Sequence, residues 1–274
     1  MTAVTTAPTI RAERTHVEAR PAGFVSDVMV IAGRALRAVP RDVESVIPPV
    51  FIALFFFLVN VGTLQQLTER NIPNFDFTAF QMPTAILLGV TGISRAPALV
   101  IDVQDGYFDR LLLTPVRRLA ILLGHLAADV TVAAALTVPI LIVGFLLGVR
   151  FETGPLGIVV FILIAALWSL AFSGFGYAIA LKTGNPGAVQ SAFLLFFPFL
   201  FLTTSYVPKE QLSGWLKTVA TWNPVTYLLE GLRSLATKGW DAGDLGGALL
   251  AVAIVGTLSM TLCFAALRGR IRRG

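Results

Sequence analysis

Residues 101–118 read IDVQDGYFDRLLLTPVRR. Long apolar runs flank this stretch on both sides, and within it stand three aspartates, a glycine, a proline and three arginines. So polar an interruption, in a chain that is 55% hydrophobic and only 14% charged, has the pattern of a loop between membrane-spanning segments.

Working outward, a spanning helix needs about 20 mostly apolar residues. Six segments qualify, at about 46–64, 78–100, 119–149, 155–181, 188–205 and 245–267. The sequence therefore predicts an all-α membrane protein with six transmembrane helices. Of the 21 lysines and arginines, 15 fall in the segments 1–45, 95–118, 182–187 and 268–274. Positive charge marks the cytoplasmic side. Both termini and the 101–118 stretch are accordingly expected in the cytoplasm of a multi-pass protein.

The flanks divide the chain further. Residues 1–23 are polar, carry no apolar core behind their arginines, and are expected to be a disordered cytoplasmic tail. Residues 24–45 contain an amphipathic helix. Phe24, Val25, Val28, Ile31, Ala32, Ala35 and Val39 fall on one face, and Asp27, Arg34, Arg37 and Arg41 on the other. It is expected to lie on the inner leaflet. The transmembrane domain covers 46–267, and a basic tail covers 268–274.

The outer side is short except for 206–244. There Leu212, Trp215, Leu216 and Val219 form one apolar stripe. Asn223 is placed to cap a second helix with Pro224 at its first position, where a missing N–H costs nothing. Leu228, Leu229, Leu232 and Leu235 line that helix, and Lys238-Gly239 ends it. Two short re-entrant helices are expected before span six. Trp215, Asn223, Pro224 and Tyr227 are candidate residues of an outer gate.

The 101–118 stretch itself reads as a helix. Asp102 can cap it, with Asp105 in its first turn. Val103, Tyr107, Phe108, Leu111 and Leu112 share a face, and Thr114-Pro115 stops it. Gly106 inside such a helix costs about 1 kcal/mol against alanine, and close approach by a partner would account for it.

Two stretches carry a resemblance. DGYFDRLLLTPVRRLAILLG resembles the cytoplasmic loop between spans two and three of type-2 ABC exporter permeases of the daunorubicin-resistance type. YVPKEQLSGWLKTVATWNPVTYLLEGLRSL resembles the segment before their last span, with its Asn-Pro-Val-Thr-Tyr and Leu-Arg ending. The resemblance covers about 24–270. It implies a permease subunit in a bacterial cell membrane. Two copies, identical or sibling, would join two copies of a separate ABC ATPase subunit. The 101–118 stretch would be the coupling helix that docks on the ATPase, through Asp105, Gly106, Tyr107, Phe108, Asp109, Arg110, Leu111, Thr114 and Pro115. The 24–45 segment would be the connecting helix.

No G-x-x-x-x-G-K-[ST] occurs in the sequence. The chain is expected to bind no cofactor and to be no enzyme, with ATP and Mg held by the partner. In the resembled family spans one, two and five border the substrate path. Asn60, Gln81, Phe196, Phe197 and Phe201 are then candidate wall residues. Such a wall suits drugs, lipids or lipid-linked glycans rather than small ions. No nucleic-acid partner is expected, because the cations sit at the edges of apolar runs.

The alternative is a stand-alone, proton-driven secondary transporter using His125 and Asp129, one helical turn apart on span three. A scaffold subunit without a path is a third possibility. Arg95, near the inner end of span two, is expected to snorkel. Ala165, Ser169 and Ser173, with Gly174 and Gly176, form a small-residue stripe suited to helix packing. Glu230 and Arg233 are spaced as an i,i+3 pair.

Overall fold

The computed structural model describes residues 23–41, 43–73, 75–92, 94–106 and 118–271. Among these there are α-helices and short 3-10 turns but no strand. The helices are α1 (Phe24–Ala38), α2 (Val43–Asn71), α3 (Phe77–Thr91), α4 (Ala96–Gln104), α5 (Arg118–Leu146), α6 (Gly154–Thr183), α7 (Pro186–Phe201), α8 (Gly214–Trp222), α9 (Pro224–Thr237) and α10 (Ala242–Ile271). Five stretches are long and apolar enough to cross a membrane: Val46–Asn71, Phe77–Asp102, Leu119–Leu146, Gly154–Thr183 and Ala242–Arg270. The sixth expected span falls on α7, an apolar helix shorter than these five. The chain is thus a multi-pass membrane protein.

Local chemistry sets many of the boundaries. Asp76 caps α3 by accepting from the Ala79 N–H at 2.8 Å. Asn185 caps α7 through the Gly187 N–H, with Pro186 in the first turn. Asp241 takes the Gly243 and Asp244 N–H groups at the start of α10. These bonds hold the Asp241 carboxyl below its ordinary value. Prolines inside α2, α3, α5 and α7 stay helical, as neighbouring helices allow within a membrane bundle.

The core is built around α3. Every residue from Phe77 to Thr91 is buried, against α2, α5, α6 and α9. A second cluster lies around α4, where Ile31, Leu99, Ile121, Leu126, Tyr177 and Leu267 come together. By contrast α2 leaves Phe51, Phe55, Leu58 and Val59 exposed. The small-residue stripe packs as expected. Ser169 donates to the Val90 carbonyl, Ser173 to that of Ser169, and Gly174 lies against Ser259 of α10.

Four features differ from the sequence reading. Span two does not continue to 100 as one helix; it stops at Thr91 and restarts at Ala96. Span one runs on to Asn71, so most of the expected first outer loop is helix. Helix α1 ends at Ala38, and α2 begins at Val43 rather than 46. The basic tail is helical to Ile271, and Arg270 reaches the Leu181 carbonyl. The expected disordered tail falls on residues 1–22, outside the described set, apart from Gly23.

Between α7 and α10 the chain forms two short helices, α8 and α9. Trp215, Val219 and Trp222 project from α8, and Trp222 is 83% exposed. Exposed tryptophans of this kind suit a membrane–water interface.

Candidate functional site

A cleft opens between α2, α3 and the α7 end. It is small and open to one side, and is lined by Phe56, Asn60, Gln81, Thr84, Leu88, Phe197, Phe201 and Tyr206, among others. Four of the five wall residues picked from sequence therefore meet here: Asn60, Gln81, Phe197 and Phe201. Phe197 stacks on Phe201 with centroids 5.6 Å apart. The fifth, Phe196, is elsewhere. It is fully buried and packs on Trp168 and Phe172.

Gln81 is the polar residue that stands out. It is 2% exposed, and its Oε1 meets no donor. An orphaned buried acceptor costs about 1–3 kcal/mol. At the rim, burial raises the Tyr206 phenol above its ordinary value, so it stays a neutral hydroxyl.

Helices α8 and α9 are tied to this cleft by Asn223 and Arg233. The Asn223 side chain accepts from the Val225 N–H, the expected cap, with Pro224 next to it. Its amide also donates to the Phe199 and Leu202 carbonyls at the end of α7. Tyr227 closes the α8–α9 corner by donating to the Thr221 carbonyl at 2.8 Å, and Lys209 lies over its ring. Trp215 points outward at 69% exposure and does not line the cleft.

Arg233 was expected to pair with Glu230, but no ion pair joins them among the described residues. Its guanidinium is buried. It donates to the Phe80 carbonyl, to Thr84 Oγ1, and to both the hydroxyl and the carbonyl of Thr204. It also sits 3.5 Å over the Phe80 ring. Arg233 thus pins α9 to α3 and to the segment after α7. Sequence spacing gave no sign of this, since Phe80 and Thr84 lie about 150 residues earlier.

The opposite end of α3–α4 carries a second polar cluster. Asp129 is fully buried. It accepts from the Arg95 N–H and from the Tyr177 hydroxyl, and so caps the restart of span two. Arg95 is itself buried at the break rather than snorkelling. Asp102 does not cap the coupling segment. It lies in α4 and binds Arg34 of α1 at 2.8 Å, with His125 Nε2 at 3.8 Å. His125 and Asp129 therefore have separate partners, and no described hydrogen bond joins them.

Helix α4 ends at Gln104, whose amide donates to the Gly184 carbonyl between α6 and α7. Gly106 follows with φ +67° and nothing near an added Cβ. A left-handed turn accounts for this glycine. Asp105 is exposed beside it. The remaining coupling residues, Tyr107, Phe108, Asp109, Arg110, Leu111, Thr114 and Pro115, lie outside the described residues. Among the described residues no group of three His, Cys, Asp or Glu is placed to hold a metal.

Comparison with known proteins gives this arrangement a family. The ABC-2 type transporter family matches residues 27–236. A daunorubicin resistance ABC transporter permease protein of Streptomyces coeruleorubidus is 28% identical over 205 residues, covering 72% of this chain and 69% of that protein. A "Probable doxorubicin resistance ABC transporter permease protein" of Mycobacterium tuberculosis is 24% identical over 220 residues, covering 79% of each. With a multi-pass helical fold and a family match across most of its length, the chain belongs to the ABC-2 type transporter family and is a type-2 ABC permease.

Proposed function

We propose that this chain is the membrane-spanning subunit of an ATP-driven exporter that moves amphipathic or hydrophobic molecules out of a bacterial cell. A separate ABC ATPase, present in two copies, binds ATP and Mg, and a second permease copy completes the path. Both termini face the cytoplasm. The names of the relatives, which speak of daunorubicin and doxorubicin resistance, support a drug-like substrate.

The observation that carries the reading is the cleft between α2, α3 and the end of α7. It gathers aromatic faces with a few uncharged polar groups, and Asn60, Gln81, Phe197 and Phe201 belong to it. Such a lining suits a flat apolar body with a polar end. Asn223, Pro224, Tyr227 and Arg233 tie the outer helices to the cleft's edge and form its outer gate. On the inner side, residues 105–115 transmit the ATPase stroke. They are adjacent to α4, which Asp102 links to α1 and Gln104 links to the α6–α7 turn.

The test is transport of doxorubicin into inside-out vesicles containing the chain and its ATPase. Uptake is expected only with ATP and with both proteins. Phe108→Ala or Asp109→Arg is expected to leave insertion intact and to uncouple hydrolysis from uptake. Uptake that persists without an ATPase and follows the pH gradient overturns the reading.

A further inference from the structure

We propose that α8 is a membrane anchor whose partner is the headgroup–acyl boundary of phospholipid: the face formed by Trp215, Val219 and Trp222 lies flat in that boundary and holds α9 at its level. The anchoring needs neither an ATPase nor a substrate. Three sides of α8 differ in chemistry. Trp215, Val219 and Trp222, spaced i, i+4 and i+7, form one side, at 69%, 37% and 83% exposure. Ala220 is fully buried and Leu216 half-buried, so a second side packs on the protein. Lys217 and Thr221 form the third, opposite the tryptophans, and Lys217 is exposed. The apolar and polar sides both run along the helix. A helix of this pattern lies in the plane of an interface. Upright in the apolar layer, α8 would carry Lys217, near its middle, into hydrocarbon.

The neighbours fix the level. Asn223, directly after α8, donates to the Phe199 and Leu202 carbonyls, where the apolar helix α7 ends. The far end of α9 meets the turn between α5 and α6. There the Thr153 hydroxyl donates to the Leu235 carbonyl, and the Glu152 N–H to that of Ala236. Lys238, just past α9, pairs with Asp244 in the first turn of α10 at 2.9 Å. Helices α5, α6 and α10 are long and apolar enough to cross a membrane, so these ends mark one edge of its apolar layer. Helices α8 and α9 lie along that edge. Trp240, 53% exposed, stands two residues before α10 at the same edge. Three of the four tryptophans in the chain are thus exposed there. An aromatic body with a single N–H donor favours that position. What the three share is a level in the membrane, and lipid is the partner present all along it.

Nitroxide labels on introduced cysteines test this in the full chain, reconstituted in nanodiscs of phosphatidylcholine and phosphatidylglycerol. The native Cys263 is buried and does not compete. Collision with oxygen reports lipid, and collision with a nickel chelate reports water. The label at Val219→Cys is expected to favour oxygen several-fold more than the label at Lys217→Cys, which favours the chelate. Labels at Trp215→Cys and Trp222→Cys are expected at one depth, near the headgroups. An upright α8 would separate them by about 10 Å at 1.5 Å per residue, and that result overturns the flat anchor. Chelate access at position 219 equal to that at 217 also overturns it, because water then covers the face. Protection of 219 from both reagents overturns it in favour of a protein cover, such as a second copy of the chain. The hold on α9 has its own readout. Trp215→Ser combined with Trp222→Ser is expected to quicken hydrogen exchange over residues 224–237 several-fold, with α6 unchanged. Unaltered exchange in α9 overturns the holding role.

Discussion

Arg233 and Asp129 each hold a broken piece of backbone in place from inside the bundle. Replacing Arg233 by leucine leaves the Phe80 and Thr204 carbonyls without their donors. A loss of about 3 kcal/mol follows from two unsatisfied groups. Arg233→Lys keeps the charge but not the planar fork, and is expected to recover only part of it. Thermal unfolding in detergent measures both. Asp129→Leu strands the Arg95 N–H and the Tyr177 hydroxyl in the same way. A comparable loss is expected, with Asp129→Asn milder because one oxygen remains. At this scale the sequence is legible where the chemistry is local. Asn223 caps the helix that begins at Pro224, as their order predicts. The partners of Arg233 are far off in the chain, and no helical period points to them. Gln81 is a wall candidate because the path of the resembled family borders span two, but its missing donor is a property of the folded neighbourhood.

Helix identity was readable from apolar length, and helix continuity was not. The run from Phe77 to Asp102 has the composition of one span, yet it breaks after Thr91, and Asp129 from another helix caps the restart. A break sustained by a distant carboxylate leaves little trace in local composition. Helix α1 shows a similar dependence. A Cβ on Gly124 of α5 would stand 2.6 Å from Ile31 of α1 and 3.2 Å from the Ala32 nitrogen. Helix α1 docks on α5 because that side chain is absent, and Arg34–Asp102 ties α1 to α4 as well. Gly124→Leu is expected to lift α1 from the bundle. Hydrogen exchange over residues 24–38 should quicken at least several-fold, while exchange in α10 stays unchanged. Unaltered protection of α1 would show that the glycine is not what seats it.

For the whole molecule, charge counting assigns sides and the helix inventory tests the count. With α7 crossing, an even number of spans returns the C-terminus to the cytoplasm. Cysteine placed at Arg150, exposed between α5 and α6, is expected to react with an impermeant maleimide in intact cells. Cysteine at Lys182, exposed at the end of α6, is expected to react only after lysis. The native Cys263 is buried and does not interfere. Labelling of both sites from outside would mean that α6 does not cross, and the reverse pattern would invert the assigned sides.

Helix α7 has 16 residues, about 24 Å at 1.5 Å per residue, against a hydrocarbon layer of about 30 Å. Beyond Phe201 the backbone is no longer helical. A crossing α7 would require the lipids beside it to shorten, which would set this side of the cleft in a dimple of the bilayer. The state of the cleft is then coupled to acyl-chain length. Thicker membranes raise the cost of the dimple, and thinner ones relieve it. In vesicles of graded chain length, uptake by the assembled exporter is expected to peak with the shorter lipids and to fall as chains lengthen.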